Sequence, residues 1–142
     1  MLLAKEIASH SKDPSTQCGA VIVDPLRRIV STGYNGFARG VHDTEERLSN
    51  RDVKLRMVLH AEQNALLYAK TDLTGHTLYV YPIPPCAHCA AMIIQSGITR
   101  VVATYPASGR HLRWQGDWVL AKEMYDEAGV AVCYISLTQE ND

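Results

Sequence analysis

Two short segments, His60-Ala61-Glu62 and Pro85-Cys86-Ala87-His88-Cys89, carry three side chains suited to holding one metal ion and a fourth suited to moving protons beside it. Cys86 and Cys89 are three apart, and at the start of a helix that spacing puts both thiols on one face, where they can chelate a single ion. A helix N-terminus also favours the thiolates that bind zinc. His60 becomes a third ligand if its own helix begins at the same end of the sheet, which is where open α/β sheets place their ligands. Three protein ligands leave a fourth position open, and that distinguishes a catalytic zinc from a structural one, because water can enter and be made more acidic. Two thiolates cancel the formal charge of Zn2+, so water there is acidified less than at an all-histidine site and a neighbouring base gains importance. Glu62 is placed to be that base. A structural site would instead need a fourth ligand from Cys18, Cys133 or His88, whose spacing favours none of them, and an isolated Cys-x-x-Cys also fits a redox pair.

These groups need helices and strands to bring them together, and the pattern of apolar residues and turns predicts which. Leu2, Leu3, Ile7 and Ala8 recur at helical spacing, giving a short first helix before the Lys12-Asp13-Pro14-Ser15 turn. Two β-branched runs, 18–23 and 28–33, flank Asp24-Pro25 as a hairpin. From Tyr34 to Leu55 the chain is polar and reads as a loop with a helical turn or two. A helix is predicted from about His60 to Lys70, a strand over Thr77–Tyr81, and a second helix starting at Pro84-Pro85 and capped by Gly97. A strand over 100–105, a helix from about Gln115 to Ala128 closed by Gly129, and a strand over 130–135 complete the chain. Alternation of helix and strand in the later part predicts parallel pairing there, in an α/β sandwich.

The 142 residues fit one domain, with 46% apolar and 20% charged residues in the usual globular balance. A formal net charge of -1 argues against long polynucleotide as substrate, since no overall basic field is present to neutralise phosphates. No apolar run approaches the ~20 residues that cross a bilayer, and Met1-Leu2-Leu3-Ala4-Lys5-Glu6 is too charged for a signal peptide, so no membrane partner and a cytoplasmic location are expected. Four cysteines without a secretory signal read as thiols or metal ligands.

The paired motifs, His-x-Glu and Pro-Cys-x-x-Cys, resemble the signature of the cytidine deaminase superfamily. Three further segments, Ser11-Lys12-Asp13-Pro14-Ser15-Thr16-Gln17-Cys18-Gly19-Ala20-Val21-Ile22-Val23, Ser31-Thr32-Gly33-Tyr34-Asn35-Gly36-Phe37 and His60-Ala61-Glu62-Gln63-Asn64-Ala65, narrow the resemblance to the deoxycytidylate (dCMP) deaminases over nearly the whole length. The resemblance implies a three-layer α/β/α sandwich with a mixed five-stranded sheet, and a Zn2+ ion held by His60, Cys86 and Cys89. It also implies hydrolysis of dCMP to dUMP and ammonia, supplying thymidylate synthesis. Glu62 would carry a proton from the attacking water to the ring nitrogen and then to the departing ammonia. The resemblance assigns Asn35 to the sugar and the backbone near Ala61 and Cys86 to the base, with Tyr105, Arg39 and Arg113 as candidates for the phosphate. It further implies a homo-oligomer, a dimer or a hexamer, acting on a small deoxynucleotide. Related activities on cytidine, dCTP, a 5-modified dCMP or tRNA adenosine are the alternatives, followed by a zinc module without catalysis. Cys18 stands where the family pattern suggests valine and reads as a small buried apolar residue. The segment 106–115 is longer than the pattern suggests and bears on the phosphate end of the pocket, while Trp114 and Trp118 read as core or interface residues.

Overall fold

The computed structural model describes residues 1–105 and 113–137. In chain order the elements are α1 (Leu2–Ala8), β1 (Gly19–Val23), β2 (Ile29–Tyr34), β3 (Gly36–Phe37), α2 (Glu45–Ser49), α3 (Arg51–Met57), β4 (Val58–Leu59), α4 (Ala61–Ala69), β5 (Thr77–Tyr81), α5 (Ala87–Gln95), β6 (Arg100–Thr104), α6 (Gln115–Ala128) and β7 (Ala131–Ile135). The main sheet has the order β2-β1-β5-β6-β7. β1 is antiparallel to both β2 and β5, whereas β5, β6 and β7 are parallel, as the late helix–strand alternation predicts. The mixed five-stranded sheet is therefore the expected one.

Glycines reveal which helix covers which face. Gly19 pairs with Tyr34 and Ala20 with Gly33, so Gly19 and Gly33 point to opposite faces of the pleat. A Cβ on Gly19 would meet the backbone of α1 at 2.1 Å, and one on Gly33 would meet Ala61 O and Ala65 N of α4 at 2.4 Å. α1 therefore lies on one face and α4 on the other. Ala20, Ile22, Leu78, Val80 and Val101 share the face of α4 and pack with Ala65, Cys89, Ala90, Ile93, Ala121 and Tyr125 into the main core, which draws α5 and α6 onto the same side. Each fully buried Ile or Leu among them contributes ~1.5–3 kcal/mol relative to exposure.

Close seating of α4 on Gly33 fixes where His60, Ala61 and Glu62 stand. Gly33→Ala pushes a methyl group into backbone that has no rotamer with which to yield, at a cost of about 3 kcal/mol. A melting temperature lower by about 10 °C is expected in calorimetry of the zinc-loaded protein. An unchanged melting temperature would show that α4 is free to shift.

The stretch read as a polar loop with a helical turn or two contains two short helices and, beyond that reading, a strand pair. α2 and α3 are capped by Thr44 and Asn50, whose side chains accept hydrogen bonds from the Arg47 and Val53 amides, and β3 pairs with β4. Neither helix has a wide apolar stripe; caps and one buried residue, Lys54, hold them in place. Elsewhere the boundaries move by a residue or two. The catalytic-motif helices start after His60 and Cys86, which are their N-caps, and α6 ends on Gly129 in left-handed conformation. Among the described residues, no helix is long and apolar enough to cross a membrane.

Candidate active site

His60 and Cys86 occupy equivalent places, each the extended residue before a helix, and the two helices begin at the same end of the sheet. The Gln63 side chain turns back to accept from the His60 N–H at 2.7 Å, closing the first turn of α4. The Cys86 sulfur accepts from the Cys89 N–H at 3.5 Å, which folds the two cysteines around one point. His60 Nδ1 lies 3.6 Å from Cys86 Sγ and 3.3 Å from Cys89 Sγ, and all three ligand atoms fall within 4.8 Å of one another. Donors around a tetrahedral zinc at ordinary bond lengths stand ~3.5–3.8 Å apart, so the trio fits that ion with His60 coordinating through Nδ1. Cys18, Cys133 and His88 are outside this cluster, so among the described residues the fourth position has no protein ligand.

The electrostatics suit a metal centre. The Cys89 thiol and the His60 ring beside it draw the Cys86 thiol down to about 4, while Cys89, sharing its proton with that sulfur, is pushed up. His60 is raised by its contact with Cys86. Glu62 is buried, and loss of solvent raises its carboxyl above the ordinary glutamate range. A carboxyl so placed is closer to equal readiness to accept and to donate a proton near neutral pH. His60, Glu62 and Cys86 open onto one cleft, whose lining mixes apolar side chains with a few polar groups, as in small-molecule sites.

The description of a protein-family model, the cytidine and deoxycytidylate deaminase zinc-binding region, matches residues 1–105, a span that includes all four of these side chains. The chain belongs to the cytidine and deoxycytidylate deaminase family. It is 42% identical over 135 residues to the uncharacterized deaminase of the luxG 3′ region of Aliivibrio fischeri, covering 95% of this chain and 90% of that one. It is 40% identical over 111 residues to the human deoxycytidylate deaminase, covering 72% of this chain and 60% of that protein. Among solved structures, the dCMP deaminase of cyanophage S-TIM5 in complex with dCMP and dUMP superposes with a TM-score of 0.71 at 25% identity, covering 94% and 92% of the two chains. Zinc is the metal of this family's binding region, and the His60, Cys86, Cys89 cluster accommodates it.

Within that family frame, the substrate residues suggested by sequence divide. Asn35, Ala61 and Arg113 line the cleft. Ala61 is the first residue of α4, where a backbone N–H has no partner within the helix. Arg113 is exposed at the rim, 5.9 Å from the Trp114 ring. Arg39 and Tyr105 lie elsewhere. The β3–β4 pairing carries Arg39 away from the cleft, where it donates to the Tyr68 hydroxyl at 3.1 Å and lies over that ring. Tyr105 is 66% exposed, its N–H bonded to Ile135 O and its ring edge-on to Tyr134. The part of segment 106–115 that bears on the phosphate end, 106–112, falls outside the described residues.

Other cleft residues escape sequence reasoning. Trp114 and Trp118, read there as core or interface, both line the cleft, and Trp118 also packs toward Tyr125. Cys18 lines it as well, its thiol pushed up by burial and so kept protonated, in keeping with a small apolar wall. Lys54 is buried and forms an ion pair of 2.8 Å with Asp13 on the cleft wall. Its signal in sequence is faint, because a lysine among Arg51, Asp52 and Arg56 looks solvated until Asp13 is known to sit opposite.

Proposed function

We propose that the protein hydrolyses dCMP to dUMP and ammonia, with zinc held by His60, Cys86 and Cys89 and protons carried by Glu62. The observation that carries this reading is the buried Glu62 carboxyl opening onto the same cleft as a three-ligand cluster that has no fourth ligand among the described residues. Bound zinc supplies Lewis acidity, lowering the pKa of the attacking water. Glu62 accepts the proton of that water and delivers it to the pyrimidine ring nitrogen, so that the amino-bearing carbon becomes electrophilic as the nucleophile forms. Once the water oxygen has bonded to that carbon, Glu62 takes the remaining proton from the new hydroxyl and passes it to the amino group, whose C–N bond breaks to release ammonia, leaving the carbonyl of the uracil product and the Glu62 carboxylate. Ala61 and Cys86, at the starts of α4 and α5, offer backbone N–H groups to the base. Trp114 and Trp118 provide apolar walls that keep bulk water from the ring.

In this reading Asn35, on the cleft wall, meets the sugar, and Arg113, an exposed cation on the cleft, meets the phosphate. The two sequence candidates outside the cleft, Arg39 and Tyr105, have no part in this assignment within one chain. The product would supply thymidylate synthesis, in the cytoplasm. Exposed Tyr34, Leu67 and Tyr68 around a second groove fit burial against another copy in a homo-oligomer.

The test is ammonia release from dCMP, deoxycytidine, cytidine, dCTP and 5-methyl-dCMP by the zinc-loaded enzyme. The expected order puts dCMP first in kcat/KM by at least roughly tenfold, the discrimination a single well-made polar contact gives. Comparable turnover of cytidine and dCMP overturns the monophosphate reading.

A further inference from the structure

The cleft also holds a charge pair that the proposed proton transfers do not use. Lys54 Nζ and Asp13 Oδ1 are 2.8 Å apart, with side chains only 8% and 10% exposed. Burying such a pair is costly unless its remaining hydrogen-bonding capacity is satisfied. Asp13 Oδ1 is crowded: besides Lys54 it accepts from the Ser15 N–H at 2.7 Å and the Thr16 N–H at 3.2 Å. Oδ2 is nearly idle, with a long contact of 3.4 Å from Asn35 Nδ2. Asn35 itself is committed, since its Oδ1 accepts from the Cys18 N–H at 2.8 Å and its Nδ2 donates to Thr16 O at 2.9 Å. The Lys54 ammonium has three N–H donors and, among the described residues, one protein acceptor, Asp13.

A pair of buried groups on one cleft wall therefore leaves one carboxylate oxygen able to accept and one ammonium able to donate. We propose that Asp13 and Lys54 together bind a sugar hydroxyl of the nucleotide, the 3′-hydroxyl of dCMP, with Asp13 Oδ2 accepting its proton and Lys54 donating to its oxygen. This rests on the assignment of dCMP as substrate. The charge balance of the pair selects a neutral group: a phosphate dianion would face the Asp13 carboxylate, whereas a hydroxyl uses both partners at once. Asn35, tied to Asp13, Thr16 and Cys18, holds this wall together and hands the polar contact to its neighbours.

The experiment compares kcat/KM for dCMP, 2′,3′-dideoxy-CMP and deoxycytidine in the wild-type enzyme, in Lys54→Met, and in the double variant Asp13→Asn with Lys54→Met, which leaves no unpaired buried charge. Zinc content and melting temperature report folding. In the wild type, removal of the 3′-hydroxyl is expected to lower kcat/KM roughly 10- to 100-fold, the value of a hydrogen bond to a charged group. That penalty is expected to shrink to within about threefold in the double variant, because the hydroxyl then has no charged partner to lose, and to fall only part-way in Lys54→Met, where the Asp13 carboxylate remains. An undiminished hydroxyl effect in the double variant overturns the proposal while leaving the dCMP reading intact. So does a loss in Lys54→Met that is equal for dCMP and the dideoxy compound but vanishes for deoxycytidine, since that pattern marks a phosphate contact. Absence of turnover of every cytosine nucleotide by the wild type overturns both.

Discussion

Replacing Glu62 with glutamine is expected to leave zinc content unaltered and to lower kcat on dCMP by at least about a thousandfold, since general acid–base catalysis contributes ~10²–10⁴ and this one carboxyl serves two proton transfers. The change is isosteric, and the carboxyl is buried against α4 and the ligand cluster, so the geometry of His60, Cys86 and Cys89 has no reason to move. The amide nitrogen can still donate a hydrogen bond to the ring nitrogen of a bound pyrimidine. It cannot take the proton of the attacking water. Substrate affinity should therefore survive while turnover does not, and the informative measurement is ligand binding by calorimetry beside ammonia release, with zinc quantified by mass spectrometry. Full activity in the glutamine variant would refute the role given to Glu62. Loss of zinc together with activity would mean that the carboxyl is part of the metal site instead.

The second large effect concerns the metal. Cys86→Ala is expected to reduce bound zinc to a small fraction per chain and activity by more than about a thousandfold, because the ligand set falls below the three protein donors that hold a catalytic zinc. In the protein without metal, Cys86 is already a thiolate and Cys89 a thiol, the two sharing a proton. Zinc takes both sulfurs as thiolates and His60 neutral, so its binding releases about one proton from Cys89, together with whatever His60 carries. Protons compete with the metal, and zinc affinity must rise with pH until those groups are deprotonated. His60, raised by its contact with Cys86, extends that dependence above the ordinary histidine range. Titration calorimetry in buffers of different ionisation enthalpy measures the proton count directly. Zinc binding that is independent of pH between 6 and 8 would contradict a proton held between Cys86 and Cys89.

Stability should follow occupancy, because a ligand that binds only the folded chain stabilises it by mass action. Both helix starts that carry the ligands are anchored on the core face of the sheet, α4 by Gly33 and α5 by Ala90 and Ile93. Metal loss should accordingly loosen the ends of α4 and α5 before it loosens the sheet.

How much of this was legible beforehand depended on the range of the interaction. The His60, Cys86 and Cys89 cluster could be read directly, and Glu62 proposed beside it, because chelation and proton transfer demand particular side chains at particular short spacings, and a helix start converts three residues of spacing into one shared face. The strands and the main helices followed from apolar periodicity, which records burial one element at a time. For the short helices α2 and α3 the sequence showed a helical turn or two without bounds, since caps at Thr44 and Asn50 define them in place of an apolar stripe. Arg39, Tyr105 and Lys54 show the same limit at the site. All three are polar residues whose neighbours in sequence say nothing of their neighbours in space.

By itself, then, the sequence determined the metal-donor cluster, the candidate base beside it and the alternation of elements that could bring them to one sheet end. Only the tertiary structure decided which cations reach the cleft. Strand pairing between β3 and β4 sends Arg39 onto Tyr68, while the turn at Asp13 and the start of β1 set a carboxylate against Lys54, 41 residues further along the chain. The physical reason is that a charge has no periodicity to reveal its partner. Its role is set by what the fold places within hydrogen-bonding distance once water is removed.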